Sequence, residues 1–168
     1  MLINLPETSA SILSCDPGLS GAVCRLKGGT IELRRDFKCR EDIARGIQAL
    51  SEGVTHAVIE FVSARPGQGV CSVWAFGRAA GVADGAFALC CPSLTVRAVT
   101  PQVWQKFFRQ EFKIPREIDF DSRGIALQLF PDKAEYFRRK LDHNSADATL
   151  IAVWLACQLS VLPTPGCW

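Results

Sequence analysis

The residue that most constrains this chain is a glutamate in apolar company. Glu60 sits within Val58-Ile59-Glu60-Phe61-Val62, part of an apolar run over residues 55–62. A compact run of this kind suits a central strand buried by its neighbours. A carboxylate inside such a run is rarely buried without a partner, because losing water costs the charged form heavily. The fold must therefore bring a partner to Glu60. In open α/β sheets, ligand sites collect at the C-terminal ends of the strands, and Glu60 lies near such an end.

The rest of the chain can be read around this strand. Residues 11–16 suit a first strand, ended by Pro17-Gly18. Residues 21–27 and 30–37 suit two further strands, joined by the hairpin signal Gly28-Gly29. Helical spacing through Ile43, Ile47 and Leu50 marks a helix over 41–51, stopped by Gly53. After the Glu60 strand comes a Pro/Gly loop over 63–69, then a long helix over 72–90. Gly77, Gly81 and Gly85 recur every four residues in that helix, which predicts one smooth face packed against a sheet or a partner. Residues 95–99 suit a fifth strand, and Thr100-Pro101 opens another helix. Pro131 separates short helical pieces over 121–130 and 132–140, and a last helix covers 144–159. This order predicts an α/β fold: a mixed five-stranded sheet with helices on both faces. A single domain over 1–168 is expected, with loose termini at 1–10 and 161–168.

Composition narrows the class. With 48% hydrophobic and 21% charged residues, the chain is globular in character. A formal net charge of +2 does not by itself draw the chain to nucleic acid, so any basic surface must come from clustering. One cluster is Phe137-Arg138-Arg139-Lys140. The eight cysteines include no C-x-x-C pair and read as small buried hydrophobes in a reducing compartment, which argues against structural zinc. Residues 1–10 lack the basic-then-apolar pattern of a signal peptide. The most apolar run, 146–162, contains Asp147 and Gln158 and is short for a membrane span. A cytoplasmic protein without membrane partner or organic cofactor is expected.

Two further carboxylates join Glu60. Asp16 ends the first strand, and Asp147 falls in the first turn of the last helix. If the first and fourth strands are parallel neighbours, Asp16 and Glu60 meet. Alone, Asp16 before Pro-Gly is an ordinary turn residue, and Asp147 suits a helix N-terminus through the dipole. Together the three repel, and each raises the pKa of the others. A pair of Mg²⁺ ions relieves that, since hard oxygen ligands suit the ion. Two ions about 3.5–4 Å apart can activate water and stabilise the leaving oxygen in phosphodiester hydrolysis.

Five ordered segments now carry a resemblance. Cys15-Asp16-Pro17-Gly18-Leu19-Ser20-Gly21 resembles the first-strand motif of RuvC-type Holliday-junction resolvases, and Val58-Ile59-Glu60 resembles their second acidic strand. Ala64-Arg65-Pro66-Gly67-Gln68-Gly69 with Phe76-Gly77 is similar to the phage and bacterial branch. Val99-Thr100-Pro101 with Trp104 and Lys106, and Asp142-His143-Asn144-Ser145-Ala146-Asp147-Ala148, resemble the later motifs. The match runs over roughly residues 11–158. It implies an RNase H-like fold, a homodimer, and paired nicking of four-way DNA junctions with Mg²⁺ or Mn²⁺. It also implies Asp16, Glu60 and Asp147 as metal ligands and Lys106 near the scissile phosphate.

The resemblance also implies a fourth ligand shortly before the last aspartate. The candidates are Asp142, His143 and Asn144. On a helix, His143 and Asn144 share a face with Asp147. Asp142 reaches the site only if the helix starts after it. Asn144 is the weaker ligand, so His143 or Asp142 is expected. Without any of them, the chain would bind junctions and not cut them.

Phosphate contacts dominate affinity for branched DNA. Candidates are Arg65 in the glycine loop, Lys106, Arg109 and Lys113 after Pro101, and Arg138, Arg139 and Lys140. Phe107 and Phe108 offer a wedge, though a core role for at least one is expected. Competing readings are a non-catalytic junction-binding protein and a nuclease acting on hybrids or other branched DNA. A sugar-kinase-like phosphotransferase needs two such domains, which 168 residues do not hold.

Overall fold

Why a glutamate can end a buried strand is clear from the sheet. The computed structural model describes residues 9–61, 63 and 67–161. Three strands come first: β1 (Ser11–Asp16), β2 (Ala22–Lys27) and β3 (Thr30–Arg35). Helix α1 (Arg40–Leu50), strand β4 (His56–Glu60), helix α2 (Val70–Cys90) and strand β5 (Val96–Val99) follow. Helices α3 (Pro101–Glu111), α4 (Ser122–Leu129) and α5 (His143–Val161) complete the order. The sheet runs β3-β2-β1-β4-β5. β1, β2 and β3 are antiparallel neighbours, with Gly28 and Gly29 at φ 54° and 74° in the β2–β3 turn. That handedness suits a tight hairpin. β4 pairs in parallel with both β1 and β5. The mixed five-stranded sheet is the one expected.

Strand alternation decides which side chains meet. Ile12 and Val58 belong to a core with Trp104, Phe108, Ile125, Phe137 and Ile151, under α3, α4 and α5. Leu13, Cys15, Ala57 and Ile59 belong to the opposite core, under α1 and α2. Helices therefore cover both faces. Counting on by twos, Asp16 follows Ile12 and Ser14, and Glu60 follows Val58, so both aim at the α5 side. Cys15 pairs with Ile59 at the end of the β1–β4 register, which leaves Asp16 and Glu60 side by side at the strand ends.

One buried hydrogen bond ties α5 to β1. Ser14 is fully buried, and its hydroxyl lies 2.6 Å from the Ala148 carbonyl and 3.3 Å from that of Cys24. A hydroxyl has a single proton, so the shorter contact is the stronger donation. Ala148 follows Asp147 directly, so this bond sets the third acidic residue against β1.

Several expectations need correction. The piece over 132–140 is not one helix. It is a 3-10 turn at Pro131–Tyr136, interrupted at Lys133 (φ −113°), and a second at Lys140–Asp142 after an extended Arg139. Gly77, Gly81 and Gly85 do not pack on the sheet: a Cβ at any of them would meet nothing within 4 Å. Cys15, Cys24 and Cys91 are buried as expected, but Cys71 is exposed. Among the described residues, no helix is long and apolar enough to cross a membrane.

The turn after β1 folds back onto Asp16. Gly21 donates to the Gly18 carbonyl at 3.1 Å, and a Cβ on Gly21 would collide with the Asp16 carbonyl oxygen. Gly21→Ala is expected to cost about 1–3 kcal/mol through displaced backbone. Urea denaturation of the two proteins measures it directly.

Candidate active site

Asp16, Glu60 and Asp147 gather on the α5 side of the sheet, at the C-terminal ends of β1 and β4 and in the opening turns of α5. Asp16 is 8% exposed. Burial, then the charges of Glu60 and Asp147, push its carboxyl well above the ordinary range. Burial likewise raises Glu60, a hydrogen bond from Trp104 opposes the shift, and Asp147 adds to it. Asp147 is pushed up to about 6 by burial, against a hydrogen bond with Ser122 and the nearby His143. Desolvation and mutual repulsion are the two forces expected of this trio.

Two neighbours act on these carboxylates. The indole Nε1–H of Trp104 donates to Glu60 Oε1 at 2.9 Å, and Ser122 lies close enough to Asp147 to lower its carboxyl. Neither residue is singled out for this role by its sequence setting. Trp104 stands there only as part of a motif, and Ser122 carries no signal at all. Trp104 is the inward residue of the first turn of α3, a helix started by Thr100-Pro101. That phase is legible. The acceptor is not, because it lies 44 residues away on β4.

The fourth position resolves into three different situations. Asp142 is buried, and its Oδ1 lies 2.7 Å from both Arg35 Nη1 and Arg139 Nε. Its Oδ2 accepts from the Arg139 backbone N–H at 2.8 Å. Burial alone would raise the Asp142 carboxyl; the bonds from Arg139 and the charges of Arg35 and Arg139 outweigh it and hold the group low. Both oxygens are thus committed to a structural ion network, which also includes Asp36 paired with Arg139 at 2.8 Å. The geometry removes Asp142 from the ligand set. Asn144 donates through Nδ2 to the Ser20 carbonyl at 2.7 Å, tying α5 to the turn after Asp16. His143 is exposed and stands near enough to Asp147 to act on its charge.

The expected DNA-binding cations divide similarly. Arg109 donates to the Pro115 and Ile118 carbonyls at 2.9 Å each and lies 5.5 Å over the Phe120 ring, so it is a loop clamp. Arg139 is held by Asp36 and Asp142. Lys113, Arg138 and Lys140 are exposed or partly so. Lys106 lines an open concavity of about 600 Å³ with Gln102, Gln105, Gln110 and Arg116, which includes none of the three carboxylates. At about 100° per residue it points away from Trp104, so it is not gathered with Glu60. Arg65 lies outside the described residues. Phe108 is fully buried, and Phe107 packs against the same core. Beside Glu60 a cleft of about 820 Å³ opens between the β4–β5 edge and α2, bordered by Phe61, Phe76, Asp84 and Ala98.

Oxygen donors on a desolvated, mutually repelling set are the chemistry a hard divalent cation fits. Still, among the described residues, no three His, Cys, Asp or Glu side chains are grouped as they would be around one ion. The Trp104 bond fixes one member of the set, Glu60.

The fold is that of RuvC-like resolvases. Thermus thermophilus RuvC in complex with Holliday junction substrate aligns over 90% of this chain and 95% of its own, with TM-score 0.55 and 16% identity. The yeast mitochondrial Holliday junction resolvase Ydc2 aligns over 94% of this chain and 83% of its own, with TM-score 0.60 and 11% identity. No protein-family model and no curated protein matches the chain.

Two outcomes follow from these charges. A group whose pKa is raised on folding favours the fold at low pH and loses that contribution as pH rises through the folded value. In EDTA, thermal stability is therefore expected to fall as pH rises through about 6, the Asp147 value, and Asp147→Asn to flatten that fall. For Asp142 the sign reverses. Its folded pKa is lowered, so its contribution is present above the ordinary aspartate value of about 3.9 and is lost in more acidic solution. Asp142→Ala is expected to cost about 3 kcal/mol at neutral pH, the low end for a broken buried pair because Arg139 is half exposed. Chemical denaturation at pH 7 and in acid checks both sign and size.

Proposed function

We propose that this chain is a divalent-metal-dependent endonuclease that cuts four-way or otherwise branched DNA. The observation that carries the reading is the meeting of Asp16, Glu60 and Asp147 at the β1 and β4 ends, on a fold shared with RuvC and Ydc2. Asp16, Glu60 and Asp147 would hold Mg²⁺ or Mn²⁺. Bound as a pair, such ions activate water and neutralise the developing charge on phosphate oxygens.

The remaining roles belong to the chain. Asp16 and Glu60 sit on adjacent parallel strands, whose ladder fixes their separation. Asp147 approaches from α5, which the Ser14–Ala148 bond ties to β1. In this reading His143, exposed at the start of α5, takes a proton from an attacking water. Lys106 on the outer face of α3 and Arg116 in the loop after it, with Lys113, Arg138 and Lys140, supply phosphate contacts further out, and Arg65 is a candidate from its sequence position alone.

A homodimer belongs to this reading. A four-way junction needs two cuts, and a two-fold pair of subunits supplies them. Helix α2 offers a surface for it. Val70, Trp74 and Leu89 are 84%, 68% and 83% exposed, and Gly77, Gly81 and Gly85 leave an open face. Such an apolar stretch is costly to leave in water. A dimer in sedimentation equilibrium, converted to monomer by Gly81→Glu, is the expected outcome; a monomeric wild type at micromolar concentration removes this part of the reading.

One observation favours a second reading, a junction-binding protein that does not cut. Asn144 is neutral, and Asp142 is bound to two arginines, so the acidic set stops at three. Labelled four-way junction, linear duplex and RNA–DNA hybrid, each with and without Mg²⁺, separate these readings. Symmetric nicking of the junction alone, lost in Glu60→Gln and Asp147→Asn while binding in Ca²⁺ persists, is expected. Tight junction binding with no nicking in any metal would establish the second reading.

A further inference from the structure

We infer that Trp104 is a positioning residue for Glu60, and that the segment from α3 to the start of α4 is the frame that holds its indole in register. The inference rests on Glu60 being a metal ligand. Trp104 is fully buried, and its indole N–H, a donor only, is spent on Glu60 Oε1 at 2.9 Å. A carboxylate retains lone pairs on its other oxygen, so the bond orients the group and leaves it able to ligate.

The indole itself has little freedom. Its ring meets Phe120 edge-on at 5.5 Å and 72°, and Phe108 at 6.4 Å and 75°. Phe120 lies beneath the Arg109 guanidinium, which also grips the carbonyls of Pro115 and Ile118. Arg109 thereby closes the loop after α3 onto the helix it came from. Asp121 then caps α4 by accepting from the Gly124 N–H at 3.0 Å, and the next residue, Ser122, lies near Asp147. A single short stretch thus reaches both Glu60 and the neighbourhood of Asp147. It is separate from β1, β4 and α5, which carry the carboxylates themselves. Groups that orient metal ligands from behind typically change metal affinity or activity about 10- to 100-fold when removed.

The test compares wild type with Trp104→Phe, which keeps a buried ring and loses the N–H. Three quantities are read: the Mg²⁺ midpoint for junction nicking, junction affinity in Ca²⁺, and the indole ¹H–¹⁵N resonance of Trp104 during Mg²⁺ titration. That resonance is assigned in the wild type from through-bond correlations between the indole and its own backbone. The expected result is an indole resonance that moves with Mg²⁺ at the nicking midpoint, and a Trp104→Phe midpoint about 10- to 100-fold higher with junction affinity retained. A Trp104 resonance indifferent to Mg²⁺ overturns the inference, and it needs no variant to fold. So does a variant that nicks at the wild-type rate and midpoint, or one that loses rate with its midpoint unchanged, which is a packing effect alone. If the wild-type resonance moves with Mg²⁺ but no junction is cut, the Trp104 inference stands and the nuclease reading falls.

Discussion

The parallel pairing of β1 with β4 is the constraint on which the rest of this molecule depends. It places two carboxylates on neighbouring strands, at the same end and on the same face. Antiparallel pairing would have put them at opposite ends of the sheet. Parallel neighbours need a crossover, and α1 supplies it on the face away from the site. The other face is left for α3, α4 and α5, the elements that bring Asp147 and the hydrogen-bond donors.

Two polar devices then hold α5 in place. The Ser14 hydroxyl bonds the Ala148 carbonyl inside the core, and the Asp142 carboxylate joins Arg35 of β3 to Arg139 just before the helix. One fixes the helix against the central strand, the other fixes its entry. Both are buried, where a half-satisfied polar group is expensive, so each tolerates little displacement. The Asn144–Ser20 bond adds a third tie, from α5 to the turn after Asp16. Stability and site geometry are thus coupled. The carboxylates destabilise one another in the absence of a cation, and the surrounding ties carry the cost of keeping them together.

The same long-range ties explain why some of the charged residues are structural. Arg109 and Arg139 resemble phosphate ligands in the sequence because arginine near a basic cluster usually faces solvent. In the fold each has carbonyl or carboxylate acceptors at hydrogen-bond distance, and the guanidinium fork satisfies two or more at once. Lys106, with a single flexible ammonium on the outer face of α3, lines an open concavity with glutamines and Arg116.

Local pattern determined a good deal of this protein by itself. Strand alternation and the Gly28-Gly29 turn defined the hairpins, Thr100-Pro101 fixed the start of α3, and the apolar setting of Glu60 marked a carboxylate at the end of a central strand. Those signals act over a few residues, where backbone sterics and side-chain period are decisive. The tertiary structure decided what depends on long-range approach. It gave Asp142 to Arg35, 107 residues away, and left a neutral Asn144 and an exposed His143 at the fourth position. It turned the glycines of α2 outward, broke the stretch after Pro131 into 3-10 turns, and matched the Trp104 indole with Glu60. A hydrogen bond or ion pair is made by whichever groups the fold brings within about 3 Å, and sequence spacing carries no record of that distance.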